Sequence, residues 1–347
     1  MRILIIGGTG FIGPHVVLRL AEMKHDVTLF HRGQTKADLP STVEHILGAR
    51  HTLPDFADRF KQLAPDIVLD MIPLAERDAR TVVSTFKGIA PRVVVVSSQD
   101  VYRAYGKAIH TEPGPVDPVP LNEDALLRSS LYPYRDETRR DEDDPGRWLD
   151  DYDKIPVEQT IMGEQSLAGT ILRLPMVFGP GDRQHRLFKY VKRMYDNRPA
   201  ILLDEGLASW RSTRGYVENV AAAIVLAIVD ERAAHRVYNV ADPKAFTMAE
   251  WVMEIGKAVG WGGEVSILPE ELLPNHLLSG LNTDQDLVVD TTRIREELGY
   301  KEPVPLEKAL RKTIEWERTH PPGNIDPQMF DYDTEDKILA ELKRVND

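Results

Sequence analysis

Residues 3–13 read Ile3-Leu4-Ile5-Ile6-Gly7-Gly8-Thr9-Gly10-Phe11-Ile12-Gly13, and this stretch decides the fold. A continuous apolar run rich in β-branched residues suits a parallel strand buried on both faces. The glycines at 7, 10 and 13 then have distinct jobs. One permits a tight turn, one lets a backbone approach a pyrophosphate, and one lets a helix pack close on a strand. Behind them Val16, Val17, Leu20, Ala21 and Met23 recur at helical spacing. A helix opening here offers free N–H groups and its positive dipole end to an anion. Pro14 is tolerated because first-turn N–H groups lack helical acceptors. Strand, glycine turn and helix in that order predict a dinucleotide site formed by Gly7, Thr9, Gly10, Phe11, Ile12 and Gly13.

Working outward, short apolar runs at 27–30, 67–71 and 93–96 alternate with helix-period stretches at 56–63 and 77–87. Strands alternating with crossover helices imply an α/β fold, a Rossmann-type, doubly wound parallel sheet. A further strand at 170–173 follows a long interruption, roughly 103–150, which is rich in Pro, Arg and acids and lacks a sustained period. Segments of that length without structure of their own are lids or disordered. The acidic run at 141–144 within it is expected to be a solvated loop. Beyond Gly181 the pattern mixes an apolar helix at 220–229, a strand at 236–240 and a helix at 248–259. This predicts a cofactor domain over 1–175, with the insertion at about 103–150. A smaller, partly interleaved α/β substrate domain follows over 176–347, with some of its elements returning to the first.

Composition excludes several classes. Fifty-five acids against 43 bases give a formal charge of −12 over 347 residues, a field that repels phosphate backbones, so no nucleic-acid partner is expected. There is no cysteine, which removes disulfides, Cys-ligated metals and a thiol nucleophile. No apolar run approaches the length of about 18 residues that spans a bilayer. The expectation is a chain with no membrane partner and a cytoplasmic location. The 10 histidines form no compact ligand spacing, so no metal is expected, and no Gly-x-Ser-x-Gly elbow is present.

The end of the second strand bears on the cofactor. An acid there would accept from the ribose 2′-hydroxyl of NAD, but Phe30 is followed by His31 and Arg32. Arg32 would welcome a 2′-phosphate instead, which favours NADP over NAD, the alternative being a surface arginine at a loop start.

With these residues in view, the chain resembles the extended short-chain dehydrogenase/reductase family, whose members include nucleotide-sugar epimerases and dehydratases. The resemblance rests on the glycine turn, on Ser97-Ser98-Gln99-Asp100-Val101-Tyr102 after a strand, on the stretch from Arg173 to Asp182, on Arg214-Gly215-Tyr216-Val217-Glu218-Asn219-Val220, and on Leu298-Gly299-Tyr300. It implies an oxidoreductase acting on a secondary alcohol or keto group of a sugar-like or nucleotide-linked substrate. Ser98 would orient the substrate oxygen, Lys154 would hold the cofactor ribose, and Pro175 and Val177 would line the nicotinamide side. Arg214 would contact a substrate diphosphate with Arg211 as second donor, an anionic substrate, or both would simply pair with acids. A homodimer is also expected.

The chain departs from the family at its centre. The family's chemistry uses Tyr-x-x-x-Lys on one helix face, yet Asp150 stands four before Lys154 and the nearest tyrosine, Tyr152, only two before it. On a continuous helix those two point about 200° apart. Pro156 and the N-cap residue Asp153 suggest that the helix begins at 153, leaving Tyr152 outside it and free to reach Ser98. Asp150 is a poor replacement, since an ordinary carboxylate with pKa about 4 is already ionised at neutral pH. Tyr102 is expected to pack, and Tyr132 and Tyr134 to line a pocket or nothing. The rival reading is a non-catalytic dinucleotide sensor or partner-binding protein that has lost the acid/base pair. Finally, the apolar positions Ile338, Leu339, Leu342 and Val345 predict a C-terminal helix docked on its own or a partner's surface.

Overall fold

The computed structural model describes residues 1–135 and 138–346. The quoted stretch forms β1 (Arg2–Ile6), a turn, and α1 (Gly13–Glu22). Then follow β2 (Asp26–His31), β3 (Glu44–Leu47), α2 (Ala57–Leu63), β4 (Ile67–Asp70), α3 (Glu76–Phe86), β5 (Arg92–Ser98), α4 (Arg103–Ala108), α5 (Lys154–Met162) and β6 (Ala168–Leu174). The remainder comprises β7 (Met176–Phe178), α6 (Phe188–Tyr195), β8 (Ala200–Asp204), α7 (Glu205–Ser209), β9 (Arg214–Tyr216) and α8 (Val217–Val229). It ends with β10 (Arg236–Asn239), α9 (Met248–Val259), β11 (Glu264–Leu268), α10 (Thr292–Leu298), α11 (Leu306–Thr319) and α12 (Tyr332–Asn346).

Among the described residues the main sheet has the order β10-β6-β5-β4-β1-β2-β3, parallel throughout. Burial on both faces explains the unbroken apolar runs. Ile3 and Ile5 turn to one face and meet Val16, Val17 and Leu20 of α1 and Val220 and Ile224 of α8. Leu4 and Ile6 turn to the other and meet Phe60, Val82, Phe86 and Val157 of α2, α3 and α5. Each such side chain contributes roughly 1.5–3 kcal/mol by leaving water. Strand order reverses at β1, so a crevice opens beyond the carboxyl ends of β1 and β4, where the glycine turn lies.

The later half feeds back into the same core: β10 joins the sheet edge beside β6, and Phe178, Tyr216 and Trp251 share a cluster with Ile3 and Val17. Two small parallel pairs, β7 with β9 and β8 with β11, stand outside the main sheet.

Two details differ from the sequence reading. The edge strand β3 was not anticipated, because only Ile46 of its four residues is buried and no alternation is visible. The interruption at 103–150 begins with helix α4 and carries a 3₁₀ turn at Arg147–Asp151. It is organised by charge, not by apolar period: Arg103 and Lys107 converge on Asp117, Arg140 and Arg147 on Asp150, and Arg128 meets Asp153 at 3.1 Å in full burial. The run at 141–144 is exposed. Helix α12 lays Ile338, Leu339 and Leu342 on Leu202, Leu268 and Leu273 of its own chain, while the side chain of Val345 lies outside the described residues. No described helix is long and apolar enough to cross a membrane.

Candidate active site

The turn after β1 needs its glycines for separate reasons. Gly7 and Gly8 have φ of +96° and +86°, a region that strains other residues. A Cβ on Gly13 would stand 2.4 Å from the Gly8 backbone, so α1 approaches the strand only because that hydrogen is there. A Cβ on Gly10 would meet nothing within 4 Å, which leaves an open cradle above the first turn of α1. The opposite wall is the turn after β7: a Cβ on Gly181 would touch Phe11 at 3.5 Å. Pro175 packs against Gly215, and Val177 is buried with its carbonyl accepting from Arg186 at 3.0 Å. An open glycine cradle at a helix N-terminus fits a dinucleotide pyrophosphate.

At the end of β2, Arg32 is exposed and has no hydrogen-bond or ion-pair partner among the described residues. Its neighbour His31 is engaged, with Nε2 2.8 Å from Nδ1 of His45 and Nδ1 accepting from the Gly33 N–H. The carboxylate at the end of β4, Asp70, is already held by Arg50.

Ser98, Tyr152 and Lys154 come together through the start of α5. Asp153 caps that helix, accepting from the Ile155 N–H at 2.9 Å, and Pro156 sits harmlessly in the first turn. Tyr152 therefore lies outside the helix with φ −70° and ψ 121°. Its ring packs beside Tyr134 and Trp148, at centroid separations of 5.4 and 5.9 Å. Lys154 is buried, donates to the carbonyls of Pro73 at 2.7 Å and Val96 at 3.1 Å, and places Nζ 5.7 Å from the Tyr152 ring centre. Burial pulls its ammonium down to about 8 against the favourable charge of Asp100.

The Tyr152 hydroxyl donates to Oδ2 of Asp100 at 2.8 Å, and the Asp100 N–H donates to Oγ of Ser98 at 3.2 Å. Burial, then the neighbouring Asp100 carboxylate, hold the Tyr152 phenol well above its ordinary value, with a hydrogen bond from Ser98 opposing them. Burial likewise raises the Asp100 carboxyl, against the hydroxyl of Tyr152 and the charges of Arg128 and Lys154. Asp100 is the member that sequence reasoning gave no role, and its second donor is Tyr134. The available signal was spacing, because residues 98 and 100 leave the carboxyl end of β5 together.

Other positions have plainer roles. Burial of Asp150 is outweighed by Arg140 and Arg147, which keep its carboxyl below the usual range and leave it no part as a base. Tyr102 is fully buried, donating to Asn239 at 2.7 Å and accepting from Arg173 at 3.0 Å.

A cavity of about 740 Å³ lies beyond β7, lined by Phe178, Leu203, Trp210, Trp251, Phe330 and Arg214 among others. None of Ser98, Tyr152 and Lys154 lines it. The Arg214 guanidinium is buried, stacks 4.6 Å from the Trp251 ring centre, and among the described residues binds a carbonyl, that of Ser212 at 3.2 Å, and no carboxylate. Burial lowers it to about 10. Arg211 differs: it pairs with Asp286 at 2.9 Å outside the cavity, so the structure does not bring the two arginines together.

Comparison with known proteins adds to this geometry. A family model described as the NAD dependent epimerase/dehydratase family matches residues 3–87 and 129–241. The uncharacterized protein y4nL of Sinorhizobium fredii is 27% identical over 193 residues, a match spanning 47% of this chain and 52%, about half, of that one. The 2′-dehydrokanamycin reductase of Streptomyces kanamyceticus is 25% identical over 301 residues, covering 84% of this chain and 75% of the reductase. Among solved structures, the UDP-glucose 4-epimerase of Thermotoga maritima with UDP-glucose superposes with a TM-score of 0.66 at 21% identity. That superposition covers 92% of this chain and 99% of the epimerase, and at that identity it establishes the fold alone.

Proposed function

Because the chain belongs to the NAD dependent epimerase/dehydratase family, we propose that it is an NADP-preferring oxidoreductase acting at a secondary alcohol or keto carbon. The substrate in this reading is sugar-like or nucleotide-linked and carries an anionic group. The observation that carries the reading is the convergence of Tyr152, Lys154 and Ser98 at the carboxyl end of β5, where the helix cap at Asp153 turns Tyr152 toward the others. A bound nicotinamide dinucleotide would supply hydride transfer there. The glycine turn would hold its pyrophosphate, Arg32 its 2′-phosphate and Lys154 its ribose. Tyr152 would exchange a proton with the substrate oxygen while Ser98 orients that oxygen. Residues 1–175 would then serve the cofactor and residues 176–347 mainly the substrate, with the buried and acid-free Arg214 meeting the anion.

A second reading, a dinucleotide sensor without turnover, has one observation in its favour: the Tyr152 hydroxyl is buried and donates to Asp100, and burial first, then that carboxylate, favour its protonated form.

The cofactor assignment is tested by titrating NADP and NAD against intrinsic fluorescence. A charge-assisted contact contributes about 1.5–3 kcal/mol, so Arg32→Ala should weaken NADP roughly 10- to 100-fold and leave NAD unchanged. Equal affinities in the wild type, unaltered by the substitution, would remove the 2′-phosphate assignment. To separate catalysis from sensing, dinucleotide reduction is followed over a panel of nucleotide sugars. Turnover that Tyr152→Phe abolishes supports catalysis, and turnover indifferent to it assigns the proton to another group.

A further inference from the structure

Asp100 is 5% exposed and lies two residues beyond Ser98. Its Oδ2 accepts from Tyr152 at 2.8 Å and from Tyr134 at 3.2 Å, and the Tyr134 hydroxyl is in turn 2.9 Å from that of Tyr105. Its Oδ1 is buried and has no hydrogen-bond partner among the described residues. Two cations face the group, Arg128 and Lys154. Neither is in direct contact with the carboxylate: Arg128 is bound to Asp153 and to the Asp100 carbonyl, and Lys154 to the carbonyls of Pro73 and Val96. A bare buried oxygen is costly on an ionised carboxylate and much less so on a neutral carboxyl. Tyr152 is buried, whereas Tyr134 and Tyr105 are half-buried, so the hydroxyl chain runs from the interior toward the surface.

We propose that Asp100 is a positioning residue that acts through Tyr152 by taking and returning its proton, so that a phenol–carboxylate pair replaces the Tyr-x-x-x-Lys pair this chain lacks. Tyr134 and Tyr105 connect that pair to the surface. The proposal rests on the oxidoreductase reading and deepens it. In the oxidising direction the substrate O–H bond breaks as its proton joins Oη of Tyr152, and the Tyr152 O–H bond breaks as its proton joins Oδ2 of Asp100. The carbinol hydrogen leaves with its electron pair to the bound nicotinamide dinucleotide, the oxidant, and the substrate becomes a carbonyl. Tyr152 ends neutral, and the carboxylate ends as a carboxylic acid. Reduction runs the same transfers backward.

The test needs no substrate. Infrared difference spectra of the whole chain record the carbonyl stretch of a protonated buried carboxyl, assigned to Asp100 by its loss in Asp100→Asn. The band should persist above the pH range in which an ordinary aspartate, of pKa about 4, is protonated. Tyr152→Phe and Tyr134→Phe should each raise its midpoint, because each removes a donor that favours the ionised form. Tyr134→Phe keeps the carboxylate and so serves if Asp100→Asn fails to fold. In weakly buffered solution, adding oxidised NADP should release up to one proton per chain from the wild type, and Asp100→Asn should lose at least half of that release. Reduced NADP should release none, a contrast that a merely structural acceptor would not produce. Absence of the band above the ordinary aspartate range, or a midpoint that both tyrosine variants and the oxidised dinucleotide leave in place, overturns the proposal. If the wild-type chain binds neither form of dinucleotide, it is the oxidoreductase reading that fails.

Discussion

Lys154 shows how a single residue's environment sets its chemistry. The fold removes it from water, which favours the neutral amine, so its value falls from 10.5 to about 8 although the ammonium still donates to two carbonyls. A base lowered in this way contributes stability above its unfolded value, and that contribution is lost as pH falls through its folded value. Between pH 7 and about 9.5 the wild type should therefore gain roughly 2 kcal/mol over Lys154→Met, read from urea midpoints. A difference that does not vary with pH would mean the ammonium is not desolvated. The same scale shows what was legible. Lys154 and Tyr152 could be placed from Asp153 and Pro156, since capping is a local rule. Asp100 could not be given its role, because its partners Tyr134 and Tyr152 are 34 and 52 residues away.

Among the elements, β1 and α1 with the turn between them are the part most fully written in local sequence. Two alanine substitutions separate its two demands. Gly13→Ala would put a methyl 2.4–2.5 Å from the Gly8 backbone, and overpacking of that kind costs typically 1–3 kcal/mol, so the melting temperature should fall and dinucleotide binding with it. Gly10→Ala meets no atom within 4 Å, so it should melt like the wild type while losing dinucleotide affinity at least about tenfold. Equal melting losses in the two would contradict the division. The insertion at 103–150 lies at the opposite extreme. Its order comes from charge pairs such as Arg128 with Asp153, and a search for apolar period is blind to these.

At the scale of the whole molecule, α12 closes the C-terminal half by burying Glu335, which pairs with Arg193 at 2.7 Å and lies near Arg198 and His276. Glu335→Ala leaves Arg193 buried without its carboxylate, a change that costs about 3–5 kcal/mol. The variant should melt earlier and release α12 first under limited proteolysis. Because Phe330 and Met329 of the preceding segment line the cavity, a dye that reports apolar surface should bind it more strongly. Simultaneous loss of the whole fold would show instead that α12 is no separate layer. By itself the sequence determined the parallel α/β sheet, the glycine turn, the cap of α5 and the amphipathic C-terminal helix. Each of these is a matter of period or of neighbours within a few residues. Only the tertiary structure decided that α12 docks on its own chain, that Arg211 and Arg214 part company, and that Asp100 meets two tyrosines. Those outcomes depend on which distant side chains share a buried space, where an unpaired charge is costly and a paired one is held in place.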